Sequence, residues 1–216
     1  MVDIATKYPY LNSAKGADVL PVLADDREQY TAELHGKHYY AAKRGRLFVA
    51  TSLTGGIALI VSATTGGHPT LWNPAGSGRN ISIKRLTLGY VSGTMAAGSL
   101  AWNTTIDAGS VAATGSPILT FTAVAVRSAL AGGAVDAKAL WSPATNTFTA
   151  APALYYTSGL SVFAALATTA VAPAPMEEDY DGMLNIAPGT ALSLVSQQTT
   201  TTALFRVTVI FEEIDI

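Results

Sequence analysis

The sequence contains no cysteine, few charges and no apolar run long enough to cross a bilayer. The first absence excludes disulfides, thiolate metal sites and cysteine nucleophiles. The second is 13% charged residues against 49% apolar ones, with a net charge of −2. It excludes a disordered polar chain and argues against a nucleic-acid binder, which carries a strong basic excess. The longest apolar runs, residues 57–61 and the Ala-rich 160–173, fall short of the roughly 20 residues of a spanning helix. The first seven residues lack the basic-then-apolar layout of a signal peptide. A soluble protein made in a cytoplasm is expected, with neither membrane nor nucleic acid as a partner.

Catalytic patterns are missing as well. Serines are plentiful, yet no Gly-x-Ser-x-Gly elbow occurs. The glycine-rich stretch at Gly76, Ser77 and Gly78 has no Gly-Lys-Ser/Thr after it, and a strand rather than a helix follows. Without those two features a phosphate has no lysine, metal-binding hydroxyl or helix N-terminus to meet. The stretch therefore reads as a β-corner, in which Asn73-Pro74 opens a turn and the glycines supply positive φ. No cofactor is expected, and an enzyme, such as a glycan hydrolase, is the least supported class.

What is present is the punctuation of an all-β protein. Glycine (19) and proline (10) separate short β-compatible runs at residues 47–51, 57–61, 70–72, 81–90, 98–105, 117–126, 139–141, 147–150 and 154–156. A turn at Pro188-Gly189 leads into a further strand, and the clearest one ends the chain at 203–213. There Phe205, Val207, Val209 and Phe211 share one face, and Leu204, Arg206, Thr208 and Ile210 share a mixed second face. Lys84-Arg85 breaks strict alternation in 81–90, which predicts a bulge or an edge position. Short strands with Gly/Pro turns predict a jelly-roll-like β-sandwich. Segment 160–171 is open to a helical reading.

Residues 1–46 differ in composition. They hold 13 of the 28 charged residues and two of the three histidines. They are expected to form an extended N-terminal arm on a body spanning 47–216, with a short helix at 25–34. Ordering a free arm costs about 1–2 kcal/mol per residue, so the arm must wrap a neighbour. Its tyrosines Tyr8, Tyr10, Tyr30, Tyr39 and Tyr40 offer contact area. The basic run Lys37, Lys43, Arg44 and Arg46 offers charge, and Arg79 is the one corner residue expected to reach a partner.

Other candidates have bland readings beside sharp ones. His35 and His38 at i, i+3 would bind a metal with Glu33, or else face solvent or an interface. His68 is expected at the surface. The acidic run 177–182 reads as a solvated loop, with calcium at Asp179 and Asp181 as the alternative. Trp72, Trp102, Trp141, Tyr155 and Tyr156 would stack on sugar rings if exposed, and would otherwise pack in the core.

Residues 71–94 also resemble structural proteins of tailed bacteriophages, in the run from Leu71-Trp72-Asn73-Pro74 through Arg79-Asn80 to Gly89-Tyr90. So do the upstream segment 34–45, Pro188-Gly189, and the final strand end at Phe211 to Ile214. The resemblance covers roughly 34–214 and transfers no catalytic residue. It implies a virion protein of capsid decoration (cement) type on the capsid surface, a homotrimer binding the major capsid protein. A carbohydrate- or receptor-binding tail-fibre domain is the alternative.

Overall fold

The structure, a computed structural model, describes residues 37–61, 65–94, 98–105, 118–162, 176–197 and 203–216. The chain divides into two units, Met1–Tyr39 and Tyr40–Ile216, and the architecture that follows is that of the second. The expected helix at 25–34 and the Ala-rich residues 163–171 lie outside the described residues.

Helix α1 (Tyr39–Lys43) is a single turn and a half leading into β1 (Leu47–Thr51). β2 (Ile57–Ala58), β3 (Thr70–Asn73), β4 (Arg79–Ser92) and β5 (Gly98–Thr104) follow. Four short strands come next: β6 (Ile118–Phe121), β7 (Arg127–Ser128), β8 (Leu140–Ser142) and β9 (Asn146–Phe148). The chain returns through β10 (Ala153–Val162), β11 (Met176–Ile186), β12 (Thr190–Ser196) and β13 (Leu204–Asp215).

The protein is all-β, built from two antiparallel sheets. One runs β11-β4-β13-β1-β7 with β2 also on β13, and the other runs β10-β5-β12-β3-β8. The pairings nest: β1 with β13, β3 with β12, β4 with β11, and β5 with β10. Successive long strands alternate between sheets except at the β5–β10 step.

Alternation explains which faces meet. Phe48, Ile81, Ile83, Leu86, Leu88, Phe205, Val207, Val209 and Phe211 point inward from the first sheet, and all are buried. Leu71, Leu100, Trp102, Trp141, Leu192 and Leu194 answer from the second, forming one hydrophobic cluster with them. The irregularity at Lys84-Arg85 is a bulge: Ile210 pairs with Arg85 and Phe211 with Ile83, leaving Lys84 as the extra residue. Both side chains then point outward while the inward set stays in phase.

The second sheet is covered on its outer side too. β6 and β9 form a separate ribbon, and Phe148 and Phe121 pack with Ala191 and Trp72. The outward residues Thr70, Asn103, Ala101, Ala191, Ser193 and Val195 are consequently buried. This explains the many small polar side chains in the interior, such as the Thr70 and Ser193 hydroxyls 2.9 Å apart.

Two expectations are corrected. The acidic run 177–182 is not a loop but lies within the 11-residue β11. An edge strand tolerates outward carboxylates, and Tyr180, Leu184 and Ile186 anchor it inward. His68 is fully buried rather than at the surface. Its ring lies parallel to Phe148 at 6.3 Å, and its carbonyl accepts from Asn146 Nδ2 at 2.6 Å.

Candidate functional site

The corner between β3 and β4 is assembled by backbone geometry. Gly76 and Gly78 adopt φ of 81° and 69°, with open space where a Cβ would stand. The glycines are thus required by conformation, not by close approach. Ser77 N donates to Pro74 O at 3.1 Å, closing the turn. Asn73 Nδ2 donates to Arg79 O (2.7 Å) and Ile186 O (2.9 Å). One buried amide therefore ties both ends of the corner to β11.

The corner delivers Arg79 into a cluster of acids. Its guanidinium binds Glu213 (2.8 Å), Asp215 (3.1 Å) and Asp136 (3.2 Å), and donates to Asp136 O at 2.9 Å. The other Glu213 oxygen accepts the backbone N–H groups of Lys138 (2.7 Å) and Ala139 (2.8 Å). Arg46 joins through Asp215 at 2.9 Å, and Lys138 through Asp136 at 2.8 Å. The hydrogen bond to Glu213 is the main cause holding Arg79 above its ordinary value. The Lys138 hydrogen bond chiefly lowers Asp136. Chemically the cluster is a clasp: it joins the start of β4, the end of β13 and the loop before β8, and its charges are spent on one another.

A second polar cluster lies where the two sheets meet at one side. Trp102 Nε1 donates to the Tyr180 hydroxyl (2.8 Å), which donates to Glu178 Oε2 (2.7 Å). Ser158 donates to the same carboxylate, and Gly159 N donates to Glu178 Oε1 at 3.0 Å. Burial pushes the Tyr180 phenol well above its usual range. This chain of bonds bridges β11 to β10.

Of the expected contact residues, Tyr8, Tyr10 and Tyr30 lie outside the described residues, as does His35. Lys37, Tyr39, Tyr40, Lys43 and Arg44 gather on or beside α1, all exposed, Tyr40 by 56%. Arg46 and Arg79 come together instead on Asp215. Asp179, the calcium candidate, is held by Arg85 at 2.6 Å and 3.0 Å. Among the described residues, no group of three or more His, Asp or Glu is placed to hold a metal.

Trp102 and Trp141 are fully buried and so unavailable to a sugar ring, and Trp72 packs on Phe121 at 5.4 Å. Tyr156 packs edge-on against Tyr180, leaving Tyr155 as the exposed ring of that set.

Glu213 and Glu178 organise these clusters; in the sequence Glu178 shows only as part of the acidic run 177–182, and Glu213 belongs to no motif. A signal existed for Glu213: it continues the inward parity of Phe205 to Phe211, and a carboxylate at an inward position needs a partner. Comparison with protein families, curated proteins and solved structures finds no match to the chain.

Proposed function

We propose that this chain is a non-enzymatic structural protein of a tailed-bacteriophage virion, a capsid decoration protein that stabilises the head by bridging subunits. The observation that carries the reading is the nested pairing β1–β13, β3–β12, β4–β11, β5–β10. This order supports a jelly roll, the double-sheet architecture that recurs in viral capsid and lectin domains. Fold alone does not assign function. The low charge, the clusters that fasten the body to itself and the resemblance at 34–214 turn the choice toward a scaffold.

In this reading residues 1–46 reach the major capsid protein, with Lys37, Tyr39, Tyr40, Lys43 and Arg44 at the base of the contact. The added contact area, repeated over a shell, opposes internal pressure without any single strong contact. Arg79 and Arg46 act inside the body. A glycan-binding tail role would have to rest on Tyr155.

The test is location. Antibody labelling and particle imaging of purified phage are expected to place the protein on heads, and heads without it should open at lower temperature. Its absence from purified heads, or label confined to tails, would overturn the proposal.

A further inference from the structure

We infer that the layer between the second sheet and the β6–β9 ribbon is an internal water site, in which water donates to Asn103 Oδ1 and Asn146 Oδ1 and accepts from Trp72 Nε1. Register places the sheet residues of this layer. Thr70 on β3, Ser193 on β12 and Asn103 on β5 form one outward row across neighbouring strands, with Trp72 and Ala191 in the next. Asn146 reaches Thr70 from β9, and Phe121 packs on Trp72 from β6. Thr70, Ser193, Asn103 and Asn146 are each at most 5% exposed.

The protons of the row are already committed. Asn146 Nδ2 carries two, and it donates to His68 O at 2.6 Å and to Thr70 Oγ1 at 3.3 Å. The single Thr70 proton goes to His68 O at 3.0 Å. The Thr70–Ser193 bond of 2.9 Å therefore uses the Ser193 proton. Asn103 Nδ2 donates to Pro152 O at 3.0 Å. Turning either amide over would set its oxygen against a carbonyl oxygen, so both orientations are fixed. Among the described residues, Asn103 Oδ1 and Asn146 Oδ1 then meet no donor, and the buried Trp72 Nε1 meets no acceptor. Buried polar atoms are rarely left so.

This mixture of groups selects the ligand. A cation would answer the two oxygens but stand against the indole N–H, and none of the residues just named carries a charge to balance it. An anion would answer the indole and repel the oxygens. Water is neutral and has two protons and two lone pairs, so it serves both kinds. Ser193 lies opposite Asn103 in the register, where facing side chains stand about 5 Å apart at Cβ. With its proton spent on Thr70, Ser193 Oγ can accept the second proton of the water on Asn103. Such water gives the ribbon a polar attachment to the sheet, beside an apolar one that rests on Phe148 and Ala191 with Trp72 and Phe121.

The inference goes beyond the virion reading and stands without it, because its readout is solvent inside the fold and not location in a particle. Crystals of the full chain that show ordered solvent are expected to hold water within hydrogen-bond distance of both asparagine oxygens and of the indole nitrogen. Soaking them in rubidium chloride should leave those positions without anomalous signal. In solution, the Trp72 indole proton should show a rotating-frame cross-peak with water of dipolar sign. Trp72→Phe, which keeps a ring against Phe121, should lose the water at the indole and keep the one between Asn103 and Ser193. Three outcomes overturn the inference: either oxygen without water, a rubidium signal at either, or an indole proton with no dipolar cross-peak. The wild-type measurements decide even where the variant fails to fold.

Discussion

Glu213 occupies the fifth inward position of β13, after Phe205, Val207, Val209 and Phe211, and only 1% of its surface is exposed. Three donors converge on its carboxylate there, two of them backbone N–H groups, so the buried acceptor is satisfied. Removing one member of a buried pair typically costs about 3–5 kcal/mol. Arg79 is partly exposed and keeps Asp215 and Asp136, so Glu213→Ala should cost about 3 kcal/mol, at the lower end. Arg46→Ala tests the contrast, since that pair is 44% and 58% exposed; it should change stability by less than about 0.5 kcal/mol. Urea unfolding of both variants, and of Arg79→Ala with Glu213→Ala, reads the difference. Equal losses for Arg46→Ala and Glu213→Ala would refute the clasp.

Tyr180 gives a pH prediction. Its phenol lies above the free value of 10.0, chiefly through burial, so the folded state favours the protonated form. The stability this contributes is complete below pH 10 and is lost as pH rises toward the folded value. Thermal midpoints should therefore hold with respect to this group up to about pH 10, then fall by about 1.4 kcal/mol of stability per pH unit. Tyr180→Phe should start less stable, having lost the bonds to Trp102 and Glu178, but show a shallower alkaline decline. Parallel declines in the two proteins would refute the assignment.

At the scale of elements, the long edges are guarded by different means. β11 relies on carboxylates and on an irregularity at 180–183, where Asp181 takes a φ of 46°. β10 relies on two bulges, the second pinned by Glu178 through Ser158 and Gly159. Unguarded edges template further pairing. The double change Glu177→Thr and Asp179→Thr should cost little stability, because the Arg85–Asp179 pair is largely exposed. It should nevertheless raise light scattering on mild heating well before the wild type. Unchanged scattering would mean that the bulge alone protects the edge.

These elements also show what was legible in the sequence. β13 and β4 are legible because their inward positions from Phe205 to Phe211 and from Ile81 to Leu88 are large and apolar, and the Lys84-Arg85 slip shows as a break in that pattern. β11 is not, because outward Glu177, Asp179 and Asp181 mask an inward set of only Tyr180, Leu184 and Ile186. Only three residues of β10 are legible, because the bulge after Leu154 destroys its alternation. The burial of His68 is not legible, because it comes from the β6–β9 ribbon, a covering element that no local pattern around residue 68 encodes. The corner's turn chemistry was legible from Gly76 and Gly78. The clasp it serves was not, because Arg79, Asp136 and Glu213 meet only through tertiary pairing.

The whole body has two interiors of unequal depth. Among the described residues, the main one joins both sheets through 23 buried residues, and the second, beneath the ribbon, has two with Trp72 and Phe121 packed against them. Local stability follows buried apolar contact and backbone protection. Amides of β4, β12 and β13 should therefore exchange only through global unfolding. Those of β6 and β9 should exchange faster, through release of the ribbon alone. Phe148→Ala sharpens the separation: truncating a buried Phe costs about 3–5 kcal/mol in a main core, but here the loss falls on an opening that leaves the sheets intact. The variant should thus accelerate exchange in β6 and β9 several-fold more than in β13, with a modest drop in thermal midpoint. Trp102→Ala, by contrast, should accelerate all strands together. Uniform acceleration in Phe148→Ala would show that the ribbon and the two-sheet body unfold as one unit.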